Sequence, residues 1–179
     1  MQKKKSRYFM QGFIIFLEKA ITISQLKSTM KEIFPKLNFY QWNLQDNIVD
    51  NEKDKELMEQ DILMELSNKK GIFKTLVEFY RFPGDESNSR LNLFVARNLS
   101  RIFECKTTIN GYSYCDFDQM PSYSLLLEND KAFLIGDCYP DNDWLDNDIR
   151  LKNLKIEILK EINLSSFTEK YTDEAQLIS

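Results

Sequence analysis

The chain has 179 residues, 42% apolar and 13% aromatic, with a formal charge of −4 and no histidine. Such a composition supports one globular domain over residues 1–179 with a real core, and it excludes disorder. It also excludes Ser-His-Asp and Cys-His catalysis, and an acidic chain lacks the basic stripe that direct nucleic-acid binding needs.

Lys3, Lys4, Lys5 and Arg7 ahead of Phe13–Leu17 imitate a secretory leader. The apolar run is too short for the roughly 7–15 residues such a leader needs, and no stretch approaches the ~20 apolar residues of a membrane span. Cys105, Cys115 and Cys138 form an odd set without a C-x-x-C pair, as in a protein that keeps its thiols reduced. These features predict a cytoplasmic protein with no membrane partner.

Arg7 to Leu17 reads as a buried strand. Ile23, Leu26, Met30, Ile33 and Phe34 recur at helical spacing, with Thr22 or Ser24 as the cap and Pro35 as the stop. Leu37 to Leu44 predicts a strand with Leu37, Phe39 and Gln41 on one face and Tyr40 and Trp42 on the other. Asp46 to Asp61 fits either a loop or a short helix. Ile62, Met64 and Leu66 alternate with Leu63, Glu65 and Ser67; the turn signal Asn68-Lys69-Lys70-Gly71 follows, and alternation resumes over Ile72 to Phe82, a hairpin pattern.

Leu91, Phe94, Val95, Leu99, Ile102 and Phe103 define an amphipathic helix with Ser87 or Ser89 as its cap, and Arg90, Arg97 and Arg101 lie off the stripe. A strand from Cys105 to Ile109 is expected next. Tyr123 to Leu127 and Lys131 to Cys138 form a second hairpin around Asn129-Asp130, residues that tolerate positive φ. Leu151 to Ile162 fits a helix and a strand equally, and the polar tail over 165–179 is expected to fray. The element order predicts an α+β fold, a mainly antiparallel sheet with helices packed on one face.

The chemistry-bearing motifs are few. The five glycines are scattered, with neither G-x-G-x-x-G nor a P-loop. Asp141-x-Asp143 and Asp146-x-Asp148 suggest calcium, yet an EF-hand needs Gly where Asp146 stands and Glu where Lys152 stands. Cys115 beside Asp116 is a poor nucleophile, since neighbouring negative charge opposes the thiolate. Asp116 and Asp118 share one face of an extended segment and are the candidate pair for a carboxylate-only hydrolase. The reading that follows is non-enzymatic, with no cofactor and no metal.

What stands out is charge distribution. Glu104 to Asp148 holds ten acidic residues and two basic ones, a net −8, interleaved with aromatics. Asp46 to Glu65 carries −6 and Met1 to Lys36 carries +6, so part of the asymmetry is open to internal pairing. Carboxylates steer a basic partner and aromatics supply buried contact area. The candidate partner-binding residues are Tyr112, Tyr114, Asp116, Asp118, Tyr123, Asp137, Tyr139, Asp141, Asp143, Trp144, Asp146 and Asp148.

Residues 90 to 148 combine the helix Leu91 to Phe103 leading to Cys105, the acidic loop Tyr112 to Asp118, and the hairpin Pro121 to Leu127 with Ala132 to Asp137. This stretch, about a third of the chain, resembles small bacterial immunity proteins encoded beside polymorphic and contact-dependent growth inhibition toxins. The resemblance implies a cytoplasmic inhibitor that binds one cognate toxin domain, often a basic nuclease, and blocks its active site. The alternative is a structural or scaffolding module that self-associates.

Overall fold

The computed structural model describes residues 12–43, 48–50, 52–53, 56–82, 89–110, 123–138 and 155–163. Among them, ten strands form one sheet and two helices pack against it. The strands are β1 (Gly12–Leu17), β2 (Asn38–Asn43), β3 (Ile48–Val49), β4 (Glu52–Lys53), β5 (Asp61–Asn68), β6 (Thr75–Tyr80), β7 (Thr107–Asn110), β8 (Tyr123–Glu128), β9 (Lys131–Cys138) and β10 (Lys155–Ile162). The helices are α1 (Ile23–Ile33) and α2 (Ser89–Phe103). The order is β10-β9-β8-β7-β1-β6-β5-β2-β3-β4, antiparallel at every junction except the parallel pair β2–β5. The chain has an α+β fold, as its element order predicts.

Two crossovers set this topology. β1 and β2 point the same way and are joined through α1; β6 and β7 point the opposite way and are joined through α2. The second crossover also advances across the sheet in the opposite sense. A single hand of crossover therefore places both helices on the same face. Leu26 and Met30 of α1 accordingly share one core with Leu91, Val95, Ala96, Leu99 and Phe103 of α2 and with Phe13, Ile15, Leu17, Ile62, Met64, Val77 and Phe79 of the sheet.

Local chemistry explains the boundaries. Thr22 Oγ1 accepts from the Gln25 amide at 3.2 Å while Gln25 Oε1 accepts from the Thr22 amide at 2.9 Å, a capping box that starts α1. Thr22 is the cap, and Pro35 follows the last turn as expected. At the end of α2, Glu104 takes φ 50° and the Cys105 amide reaches back to the Ser100 carbonyl at 3.1 Å, closing the helix in a left-handed cap. The Asn129-Asp130 turn has φ of 48° and 65°, the values a tight hairpin requires.

Several elements depart from the pattern reading. β1 is described from Gly12, and the earlier residues of the expected strand lie outside the described residues. The segment beyond Asp46 carries the short strands β3 and β4. The first hairpin closes later than Asn68-Lys69-Lys70-Gly71 suggests, because Ile72 and Phe73 leave the strand and fold onto the face opposite the helices. Ile102 is 44% exposed, while Leu93 and Ala96 are buried, so the buried stripe of α2 is rotated from the expected one. The strand after Cys105 starts at Thr107; α2 is described from Ser89, which is already helical, and Ser87, the other expected cap, lies outside the described residues. The described part of 151–162 is strand, which resolves that ambiguity in favour of the two-residue period. The tail from residue 164 lies outside the described residues.

A knot of rings locks these pieces together. Phe82, just past β6, lies 5.3 Å from Phe13, 5.5 Å from Phe34, 6.1 Å from Phe39 and 5.7 Å from Phe79 between ring centroids. Replacing Phe82 with Ala is expected to cost about 3–5 kcal/mol, the range for an aromatic removed from a packed core. Urea unfolding would check it: the midpoint falls with an unchanged slope if only stability is lost.

Candidate functional site

Strand alternation sorts the sheet's second face, opposite α1 and α2, into two apolar clusters with an acidic row between them. At one end Phe73, Leu126 and Ile135 are buried with Phe16, Ile72, Phe133 and Ile156 around them. At the other, Trp42, Val49 and Leu63 are buried with Tyr40, Leu57 and Tyr80. Between these clusters the β1–β6 and β6–β5 registers align Ile14, Glu78 and Glu65 across three adjacent strands. Ile14 is 44% exposed and both glutamates are half-buried.

Glu65 and Glu78 thus face each other directly across the hairpin, where Cβ atoms of opposed residues are about 5 Å apart and like charges repel. Burial raises the Glu65 pKa above the ordinary carboxylate value, and the charge of Glu78 adds to the shift. Tyr80, two residues along β6 on the same face, donates its hydroxyl to Glu78 Oε2. Burial, that hydrogen bond and the two carboxylates hold the Tyr80 phenol well above its usual pKa, so it remains a donor.

The aromatic wall has its own causes. Tyr80 stands opposite Gly12 on one side and Leu63 on the other. A Cβ on Gly12 would lie 2.3 Å from the Phe79 carbonyl oxygen and 3.1 Å from Tyr80 Cδ1, so only glycine admits this approach of β1 to β6. Trp42 meets Tyr80 edge-on, with centroids 4.9 Å apart and planes at 87°. The β2–β5 ladder pairs Gln41 with Met64, and one step further along both strands come Trp42 and Glu65. Trp42 is 7% exposed, and among the described residues its enclosed indole Nε1 has no hydrogen-bond partner.

Other charged groups are taken up within the fold. Asp130 sits 3.2 Å from Arg97 and 3.6 Å from Arg101, binding the β8–β9 turn to α2. Lys106 lies 3.5 Å from Glu128 and 3.9 Å from Glu18. Asp50, at φ 47°, accepts from Lys27 at 2.6 Å and from the Gln41 amide at 2.8 Å. Asp61 is buried and accepts from Asn38 and from the Met58 amide, each at 2.9 Å. An open cleft between α1 and β2 is lined by Lys27, Ser28, Lys31, Asn38, Phe39 and Tyr40. Its lysines are engaged, Lys27 by Asp50 and Lys31 by the Leu37 carbonyl at 2.9 Å. Cys105 is a free thiol whose pKa burial pushes up, the opposite of an activated nucleophile.

Of the twelve sequence candidates, Tyr123 and Asp137 fall on described strands. They lie on the paired strands β8 and β9, with Tyr123 in register with Gly136, the residue before Asp137. Tyr112, Tyr114, Asp116, Asp118, Tyr139, Asp141, Asp143, Trp144, Asp146 and Asp148 lie outside the described residues. Pattern reading missed Glu65, Glu78, Tyr80 and Trp42 as a group. The alternation Leu63, Glu65, Ser67 against Leu76, Glu78, Tyr80 was the available signal, and hairpin register was the missing piece. Among the described residues no three His, Cys, Asp or Glu side chains are placed to hold a metal, and no helix is long and apolar enough to cross a membrane. Comparison of the chain with protein-family models, curated proteins and solved structures finds no match.

Glu65 holds its proton more tightly folded than unfolded, so protonation favours the fold. Its contribution is fully present below the ordinary carboxylate pKa and is lost as pH rises through the raised folded value. Glu65→Gln is therefore expected to be more stable than the parent above that pH and equal to it in acid. Urea midpoints from pH 4 to 8 would check it; parallel curves for the two proteins would refute the assignment.

Proposed function

We propose that this chain is a non-enzymatic inhibitor of the immunity type, which binds and neutralises one basic, nuclease-type toxin domain in the cytoplasm through an acidic, aromatic surface. The observation that carries this reading is the acid–aromatic cluster on the face opposite the helices. There two half-buried carboxylates, a phenol and an indole stand together, and among the described residues no cation is paired with either carboxylate. Such a surface attracts a basic protein by field and holds it by aromatic contact. It does not favour catalysis: the opposed glutamates lie on a sheet face, away from the α1–β2 cleft. The acidic residues from Tyr112 to Asp118 and from Asp137 to Asp148 belong to the same proposal on sequence grounds.

An affinity capture of the tagged protein from its native cells, eluted with rising salt and identified by mass spectrometry, tests the reading. One stoichiometric basic partner released by salt is the expected result. Recovery of the protein with only itself would instead favour a self-associating module. With the partner in hand, changing Asp141, Asp143, Asp146 and Asp148 together to Lys is expected to weaken binding at least about ten-fold and to flatten its salt dependence. Unchanged tight binding by that variant would remove the 141–148 segment from the interface.

A further inference from the structure

β2 has one uncovered stretch of edge. The Asn38 amide donates to the Gln60 carbonyl, so the backbone groups of Asn38 and Tyr40 face β5, while those of Phe39 and Gln41 face away from it. β3 pairs with β2 only at Trp42 and Asn43, and Asp50 extends that cover by one residue. Its amide donates to the Gln41 carbonyl at 2.9 Å and its carboxylate accepts from the Gln41 amide at 2.8 Å. On the other side of Phe39, Lys31 Nζ caps the Leu37 carbonyl at 2.9 Å. Between these two caps the N–H and C=O of Phe39 have no partner among the described residues, and Phe39 lines the α1–β2 cleft of about 310 Å³. We propose that this cleft receives an extended, acidic peptide segment of another protein, which pairs antiparallel with β2 at Phe39 and sets a carboxylate side chain against Lys31. The inference does not rest on the inhibitor reading, whose acidic surface lies on the face opposite the helices.

The edge itself selects a peptide. In the narrow pair of an antiparallel ladder two opposed residues exchange both of their hydrogen bonds, so one incoming residue satisfies Phe39 completely. Asn38 to Gln41 carries no charge, proline or break in register, the devices that blunt exposed edges elsewhere. A cleft at the low end of the roughly 300–1,000 Å³ of ligand pockets admits one side chain with its flanking backbone rather than a folded domain. The charge of that side chain follows from register. A residue opposite Phe39 projects from the same face as Phe39, whose ring lies in the core shared with both helices, and so it points toward α1. There Lys27 and Lys31, one turn apart, line the facing wall together with Ser28. Asp50 balances Lys27 at 2.6 Å. Lys31 gives the Leu37 carbonyl one hydrogen bond but keeps its charge and its other donors, so the wall is left positive. The flanking residues of the peptide fall on the other face, beside Asn38 and the half-buried ring of Tyr40.

The test is a titration of the full chain with acetyl-Thr-Val-Glu-Val-Thr-amide, followed by the 15N–1H signal and the hydrogen exchange of the Phe39 amide. A saturable shift and slowed exchange are expected. The counterpart with a central lysine should bind at least about ten-fold more weakly, since like charge then meets like. The glutamate peptide with its central amide N-methylated should also bind at least about ten-fold more weakly, because it cannot donate to the Phe39 carbonyl. Lys31→Gln should weaken the glutamate peptide about three- to five-fold, the span of a partly exposed ion pair. Lys160→Gln, on β10 at the far end of the sheet, should leave it unchanged. No saturable shift, or equal binding of the N-methylated or the lysine peptide, would overturn the proposal. So would a Phe39 amide already protected through concentration-dependent dimerisation, which makes a second copy the occupant. The peptide comparisons use the parent chain, so the test stands should Lys31→Gln not fold.

Discussion

The fold depends on the ring contacts of Phe82. This one side chain, at the point where the chain leaves β6 for α2, touches rings from β1, β2, β6 and the end of α1. Aromatic pairs add about 0.5–1.5 kcal/mol each beyond the area they bury. Because those partners come from both crossovers, the knot couples the placement of α1 to that of α2. With both helices held on one face, the other face of the sheet is left to loops and side chains. That is where the acidic row lies.

The charge pattern divides along the same line. Asp50, Asp61, Glu128 and Asp130 are spent inside the molecule, on Lys27, on Asn38 and the Met58 amide, on Lys106, and on Arg97 with Arg101. A negative total over a stretch of sequence therefore overstates what a partner would meet. Glu65 and Glu78 are different: they are set against each other, and the Tyr80 phenol donates to Glu78. Exposed ion pairs contribute little to stability, about 0–1 kcal/mol, so the internal pairs serve to fix turns and edges.

Much of this architecture was legible from residue order. α1 announced itself through Thr22, the helical spacing and Pro35, and the β8–β9 hairpin through Asn129-Asp130, since these signals are local and each has a backbone cause. β2 was legible because Phe39 and Trp42 point to opposite faces with the right period. The acidic row was not. Its assembly needs the register of a hairpin whose connection, 69–74, contains two apolar residues that mimic strand pattern while packing elsewhere. It also needs the parallel pairing of β2 with β5, a contact between strands that are not consecutive in sequence. The rotated stripe of α2 has the same origin: periodicity gave a helix, but tertiary packing chose which side to bury. Ile102 therefore faces out although its spacing suits the core.

β10 ends the sheet order and runs beside β9 with its register broken between Ile158 and Lys160. Residues 157–161 are all exposed, and Ile158 and Leu159 are among the most exposed apolar side chains described. A flat, greasy terminal strand would be a template for stacking one molecule on the next. The bulge twists this one out of plane, and Glu157, Lys160 and Glu161 scatter charge along it, so an approaching strand meets neither a straight ladder nor a uniform apolar surface. The irregularity at Leu159 and the charges beside it thus disfavour the edge-to-edge pairing that a straight apolar strand invites.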